Sequence, residues 1–286
     1  MPLAAIPKLA ADQTPQFTFR PATVDDAEQF SAWDAYRART SALSFVRTPE
    51  QWRFEITERH ADEVWKLNIF VIVNAQGEAV GYVAVRAAKE EIFYHCMSYV
   101  VGEKSSYLAT FDDVLRHLKT FAEGFYATLP EMMPWNIIFD GGMPAAVDLM
   151  LQAMPGGRVL GDSYAWYLRV TDTGALIQQL APVLETRLAE SGANAYTGTL
   201  LIEFFDLTGL EITFERGKII SAVQRPFDQH EGMAGCPNHS FLNLVFGHRT
   251  MSELKHIYPE AGTRRDARVL LDALFPKQRA WLTPLA

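Results

Sequence analysis

FLNLVFGHRTMSELKHIYPE at 241–260, with ARVLLDALFPK at 267–277, is the stretch on which the reading of this chain turns. Thr250-Met251-Ser252-Glu253 is a capping box, in which threonine and glutamate satisfy each other's backbone N–H, so a helix starts there. The segment before it, 198–223, reads as a hairpin of apolar strands. Strands are expected over 199–207 and 211–214 about a tight Thr208-Gly209 turn. A second turn at Glu215-Arg216-Gly217-Lys218 leads into a strand over 219–223. The polar loop 224–238 has no period. Upstream, Asp172 or Thr173 opens a helix that runs to Ala189 and ends at Ser191-Gly192-Ala193-Asn194.

Working outward, FTFR at 17–20 is a short strand, and Thr23 caps a helix with Asp25 and Asp26 in its first turn. Phe30, Trp33 and Tyr36 recur at spacing three and give that helix an aromatic face. Thr48-Pro49-Glu50-Gln51 is another capping box with proline at the first helical position. Residues 67–73 and 79–85 form a hairpin about Asn74-Ala75-Gln76-Gly77, and 91–101 (EIFYHCMSYVV) is a further strand. Thr110 is expected to cap a long helix with Asp112 and Asp113 in its first turn. NIIF at 136–139 is a strand broken by Asp140-Gly141-Gly142, 144–154 is helical, and YAWYLRV at 164–170 is a closing strand.

The 286 residues suffice for two modest domains or one large one. No apolar run approaches the roughly 20 residues that span a bilayer, so no membrane association is expected. Residues 1–16, MPLAAIPKLAADQTPQ, lack a continuous apolar stretch and read as a flexible leader or linker rather than a signal peptide. Two cysteines, Cys96 and Cys236, exclude a disulfide framework and suit a reducing cytoplasm. Lys and Arg number 26 against 34 Asp and Glu, a net charge of -8 without any basic run, which excludes nucleic acid as a partner. An acidic surface is compatible with attracting cationic amines, and equally with nothing more than keeping the chain in solution.

The succession of elements in the first half, then WYLRV at 166–170, ALIQQLAPVLETRLAES at 175–191, the strands of 198–223, LVFG at 244–247 and LLDALFPK at 270–277, resembles acetyltransferases of the enhanced-intracellular-survival type, a branch of the GNAT superfamily. The resemblance implies an α/β (α+β) chain. A GNAT-like mixed sheet flanked by helices occupies 17–170, and a smaller sterol-carrier-like α+β domain occupies 171–286. Members of this type usually carry two GNAT folds before the sterol-carrier-like domain, the first catalytic and the second degenerate. AYRART at 35–40, with Arg47 and Trp52, resembles the start of the second copy. The resemblance therefore implies that the catalytic domain lies outside this chain.

GNAT enzymes hold the pyrophosphate of acetyl-CoA on backbone N–H groups of a glycine-rich loop at a helix N-terminus, where glycine lets the backbone approach the anion. The corresponding stretch here is 102–109, GEKSSYLA, with one glycine and with Glu103, Asp112 and Asp113 nearby. Lys104, Ser105 and Ser106 are its candidate anion ligands, and acetyl-CoA is the implied cosubstrate. Tyr94 and Tyr99 lie on the strand where GNAT enzymes approach the acetyl group, on opposite faces by their spacing. The resemblance also implies that the C-terminal carboxylate, here Ala286, serves as a catalytic base; a partly desolvated carboxylate suits that role.

Other constellations are weaker. Cys236-x-x-His239, with His230 and Glu231, supplies one tight pair where a zinc site uses two, so no metal is expected. His95 and Cys96 are adjacent in a strand and point apart, which argues against a nucleophile pair and for a buried thiol beside a hydrogen-bonded imidazole. Two functions remain open. One is a GNAT-family N-acetyltransferase moving the acetyl group of acetyl-CoA to a small-molecule amine. The other is a non-catalytic binding or oligomerisation module on a degenerate GNAT fold. Six tryptophans among many large aromatics, together with the resemblance, favour a homo-oligomer.

Overall fold

The computed structural model describes the chain except residues 11, 61–62, 88–92, 129, 141, 160–167, 229–230 and 282–286. The chain divides into two compact units, Met1–Tyr164 with Trp281–Ala286, and Ala165–Ala280. The greater part of the strand expected over 164–170, and Ala286 itself, lie outside the described residues.

In the first unit, β1 (Phe17–Pro21) leads through a capping box at Thr23 and Asp26 into α1 (Ala27–Ala38). A short β2 (Leu43–Ser44) precedes α2 (Pro49–Arg53), whose Thr48–Gln51 box forms as the sequence predicts. The hairpin β3 (Asn68–Asn74) and β4 (Ala79–Arg86) follows. It turns through Gly77 at φ +80°, while Asn74 Oδ1 accepts from the N–H groups of Gln76 and Glu78. Next come β5 (Phe93–Val101), α3 (Tyr107–Phe125), β6 (Asn136–Phe139) and α4 (Ala145–Ala153). The sheet order is β1-β3-β4-β5-β6, antiparallel except for the parallel β5–β6 pair.

Both faces of this sheet are covered. One packs Ile72, Val83, Tyr94 and Tyr99 against Leu115 and Leu118 of α3 and Val147 of α4. The other packs Val71, Tyr82, Met97 and Val100 against Phe30 and Trp33 of α1 and Trp52 of α2.

In this unit four sequence expectations need correction. Residues 1–16 are not a loose leader throughout. Leu3 and Ile6 are 4% and 2% exposed in the first core. Leu3 N–H donates to Trp135 O (2.9 Å), Ile137 N–H donates to Met1 O (2.9 Å), and Pro2 bridges Asn136. The first residues thus cover the edge of β6, which would otherwise present unpaired backbone groups. The cap of α3 is Ser106, whose Oγ accepts from Ala109 N–H (3.2 Å). Thr110 sits one turn further in, buried, with its hydroxyl 2.5 Å from that of Tyr99. The buried side of α1 is Ala27, Phe30, Trp33, Asp34 and Arg37, whereas Tyr36 faces outward, because each step of three residues drifts about 60° on a 3.6-residue helix. Finally, Tyr94 and Tyr99 share a face. The register of β5 slips between Ala84–Ser98 and Val85–Cys96, and the extra residue, Met97, reverses the alternation.

The second unit begins with α5 (Thr173–Ala189), capped by Asp172, whose side chain accepts from Ala175 N–H (2.9 Å). A three-stranded meander follows: β7 (Gly198–Glu203), β8 (Thr208–Glu215) and β9 (Lys218–Pro226). The first turn is at Phe205–Leu207, earlier than Thr208-Gly209. Phe205 and Leu207 take positive φ, and Asp206 Oδ1 accepts from Thr208 N–H (3.0 Å). β10 (Ala234–Gly235), α6 (Asn238–Val245), α7 (Met251–Ile257), β11 (Gly262–Thr263) and α8 (Arg265–Leu274) complete the unit. Its mixed sheet is ordered β11-β10-β7-β8-β9, with β10 parallel to β7. Ile177, Leu184 and Leu188 of α5, Ile202, Ile212 and Phe214 of the sheet, and Phe241, Leu254 and Leu271 of the later helices form its core. α5 also closes the β9 edge: Glu185 accepts from Ile219 N–H (3.0 Å) and Gln178 donates to Ala222 O (3.3 Å).

Candidate functional site

In an open sheet with a parallel pair, the crevice beyond the carboxyl ends of the paired strands is the usual ligand position. Here that place lies past Cys96 of β5 and Phe139 of β6, where the pairing stops. One more bond, Asp140 N–H to Cys96 O (3.1 Å), closes the ladder. The crevice is bounded by the end of β5, the N-terminus of α3 and the loop after β6. Gly141 of that loop lies outside the described residues.

The chain's own side chains take the polar groups of this crevice. The phenol of Tyr107, in the first turn of α3, accepts from Val101 N–H (3.3 Å) and donates to Tyr99 O (3.5 Å). These are backbone groups of β5 beyond the reach of β6. From the other side, Arg37 of α1 donates through Nη2 to Gly142 O. Arg37 is 5% exposed, and burial pulls its pKa down, with Tyr107, Tyr82 and Asp34 opposing that shift. A buried guanidinium on a backbone carbonyl is a charge-assisted bond, worth more than a neutral one.

Behind Arg37 lies a buried polar cluster. Asp34 is fully buried; its Oδ1 accepts from Tyr82 Oη (2.5 Å), and its Oδ2 accepts from Trp52 Nε1 (3.2 Å) and Arg47 N–H (3.4 Å). Burial pushes the Asp34 carboxyl up to about 6, against the pull of its donors and the Arg47 guanidinium. Arg47 is itself buried and lies over the rings of Phe45 and Trp52.

No family model matches the chain, and no curated protein matches its sequence. Solved structures do resemble it. A probable N-acyltransferase from Enterococcus faecalis superposes with a TM-score of 0.56 at 13% identity, covering 100% of this chain and 65% of that one. A GCN5-related N-acetyltransferase from Anabaena variabilis gives 0.55 at 13% identity, over 99% of this chain and 64% of that one. Eis1 from Mycobacterium abscessus gives 0.51 at 18% identity, over 99% and 65%. The fold is GNAT-like. The chain spans just under two thirds of the length of each of these three proteins.

The loop 102–109, for which the sequence resemblance implied an acyl-CoA pyrophosphate, makes the following contacts within the chain. Gly102 donates its N–H to Val80 O (2.8 Å), and a Cβ on it would lie 2.6 Å from Cδ1 of the Trp33 indole. The glycine leaves room for that ring. Ser105 N–H is spent on Gly102 O (3.3 Å), and Ala109 N–H on Ser106 Oγ. Lys104 lies on the exposed surface 3.5 Å from Glu78, and Glu103 lies 3.8 Å from Arg39. Lys104, Ser105 and Ser106 are brought together, but as a helix cap and a surface ion pair. Asp112 and Asp113 hold Arg116.

The remaining candidates are dispersed. Cys96 is buried with its thiol pKa raised by burial, and His95 pairs with Asp140 (3.3 Å). Cys236 is buried in the second core, its thiol pushed up to about 11, while His239 Nε2 lies 3.2 Å from Tyr258 Oη and Glu231 pairs with Arg225. His230 lies outside the described residues. The residues that shape the crevice, Arg37, Asp34 and Tyr107, were not singled out from the sequence. A signal existed: Ala27, Phe30, Asp34 and Arg37 follow a 3-4-3 spacing, which places two charged residues on an apolar helical face.

Proposed function

We propose that this chain is a module of a GNAT-type N-acetyltransferase, and that its unit Met1–Tyr164 acts as a scaffold rather than as an acyl-CoA site. The observation that carries this reading is the closure of the crevice by Tyr107 and Arg37, which occupy the backbone groups an amide-bearing ligand would need. Gly102 under Trp33 supports it from the phosphate side. Binding there would require breaking these buried hydrogen bonds and would leave Gly142 O without its guanidinium donor, an unfavourable exchange. Within this reading the second unit is sterol-carrier-like, and transfer of an acetyl group to an amine belongs to the whole acetyltransferase type.

A retained but non-binding GNAT fold has a role in assembly, so the reading includes a homo-oligomer. Trp135, 82% exposed on the unit's surface, is the residue best placed to be covered. Light scattering at micromolar concentration should give a multiple of 32.1 kDa.

The catalytic alternative draws on the acyltransferase descriptions of the neighbours and would call on Lys104, Ser105, Ser106 and the Ala286 carboxylate. Release of free CoA from acetyl-CoA in the presence of a panel of small-molecule primary amines separates the two. The scaffold reading expects no release above the protein-free rate. Turnover that Ser106→Ala or removal of Ala286 abolishes would replace it with the catalytic one.

A further inference from the structure

A cleft of about 570 Å³ opens between the N-terminal arm, β1 and one side of α3, and it shares no residue with the crevice described above. That volume lies within the range of small-molecule sites. Its wall is aromatic. Phe17 and Phe19 line it, and the His117 ring lies flat on Phe19, with centroids 4.2 Å apart and planes 6° from parallel. Phe70 meets the imidazole edge-on, with centroids 4.6 Å apart. The Nε2 of His117 is buried and has no hydrogen-bond partner. Burial holds His117 down to about 4, so the ring is neutral near pH 7.

Charged side chains rim this wall. Asp113 is fully engaged: Oδ2 accepts from Gln16 and Phe17 N–H (2.8 and 3.0 Å), and Oδ1 holds Arg116 (2.7 Å). Arg116 in turn ties down the arm through Pro7 O (3.4 Å). Asp112 lies 3.8 Å from Arg116 as a second carboxylate, so Lys8 and Lys119, with Glu123 on the same rim, are the lining cations outside that cluster. The two lysines outside the Arg116 cluster can meet an anion at this rim.

We propose that this cleft binds a small aromatic carboxylate. Its ring packs against Phe17, Phe19 and His117, its carboxylate meets Lys8 and Lys119, and His117 Nε2 gains the hydrogen bond it lacks. The inference is independent of whether the GNAT unit holds acyl-CoA.

The test is calorimetric titration of the full chain with 1-naphthylacetate, and with its uncharged amide as the comparison. We expect saturable one-to-one binding of the acid, at least tenfold tighter than the amide. Lys8→Glu with Lys119→Glu should weaken it tenfold or more, and acetyl-CoA should not compete. If the double variant fails to fold, Lys8→Glu alone, at an exposed arm position, should still weaken binding severalfold. No saturation at millimolar ligand would overturn the proposal. So would equal affinity for acid and amide, or affinity indifferent to the lysines.

Discussion

The indole of Trp33 fills the space that a side chain at Gly102 would need. Trp33 is 7% exposed and packed among Phe30 and Tyr82, so the ring has little freedom to retreat. Gly102→Ala should therefore cost about 1–3 kcal/mol, the usual range for overpacking a core. Urea denaturation measures it. A loss below about 0.5 kcal/mol would mean that the glycine serves something other than the ring.

Tyr107 and Arg37 should be structural in proportion to the bonds they make. Tyr107→Phe leaves Val101 N–H and Tyr99 O without their side-chain partner and should cost about 1–2 kcal/mol. The Val101 amide should exchange with solvent hydrogen faster in the variant. Unchanged exchange would show that water replaces the phenol without loss.

Asp34 and His117 give opposite pH dependences. The Asp34 carboxyl is raised from 3.8 to about 6, so its ionisation destabilises the fold. Stability from this group falls as pH climbs from about 4 to 6, and the full penalty above pH 6 is about 3 kcal/mol. His117 is lowered from 6.5 to about 4, so its contribution is intact above pH 6.5 and is lost as pH falls toward 4. The two slopes offset each other in the native protein. Between pH 7 and 5, Asp34→Asn should lose about 1 kcal/mol more than the native chain, and His117→Phe about 2 kcal/mol less. Unfolding free energies at the two pH values decide this, and slopes unaffected by either substitution would refute it.

The N-terminal arm is part of the core. Ile6→Ala removes a side chain that is 2% exposed and should cost about 2–4 kcal/mol. Thermal or urea unfolding tests it directly. A change within about 0.5 kcal/mol, the range of a surface substitution, would restore the picture of a free leader.

Features that depend on a few neighbouring residues were legible in the sequence. The boxes at Thr48 and Thr250 form as read, and so does the β3–β4 hairpin with its Gly77 turn. The mixed α/β class was implied by the family resemblance, and the two mixed sheets flanked by helices agree with it. What failed depends on tertiary context. Ser106 and Thr110 are one turn apart and both resemble caps; burial against Tyr99 decides between them. The parity that separates Tyr94 from Tyr99 holds only for an unbroken pleat, and the bulge at Met97 breaks it. Leu3 and Ile6 are too few to form a period, so their docking shows only once β6 supplies the partner strand. The crevice was half visible: its single glycine could be counted, but not the ring beneath it, nor the arginine and tyrosine that close it.

The most direct test of the scaffold reading is a thermal-denaturation series with acetyl-CoA added to millimolar concentration. A ligand of the native state raises Tm with its concentration, by about 2.7 kcal/mol of stability at a hundred times Kd. The closed crevice predicts a Tm that does not move. A saturable rise that Lys104→Glu abolishes would place acetyl-CoA on this unit and contradict the account.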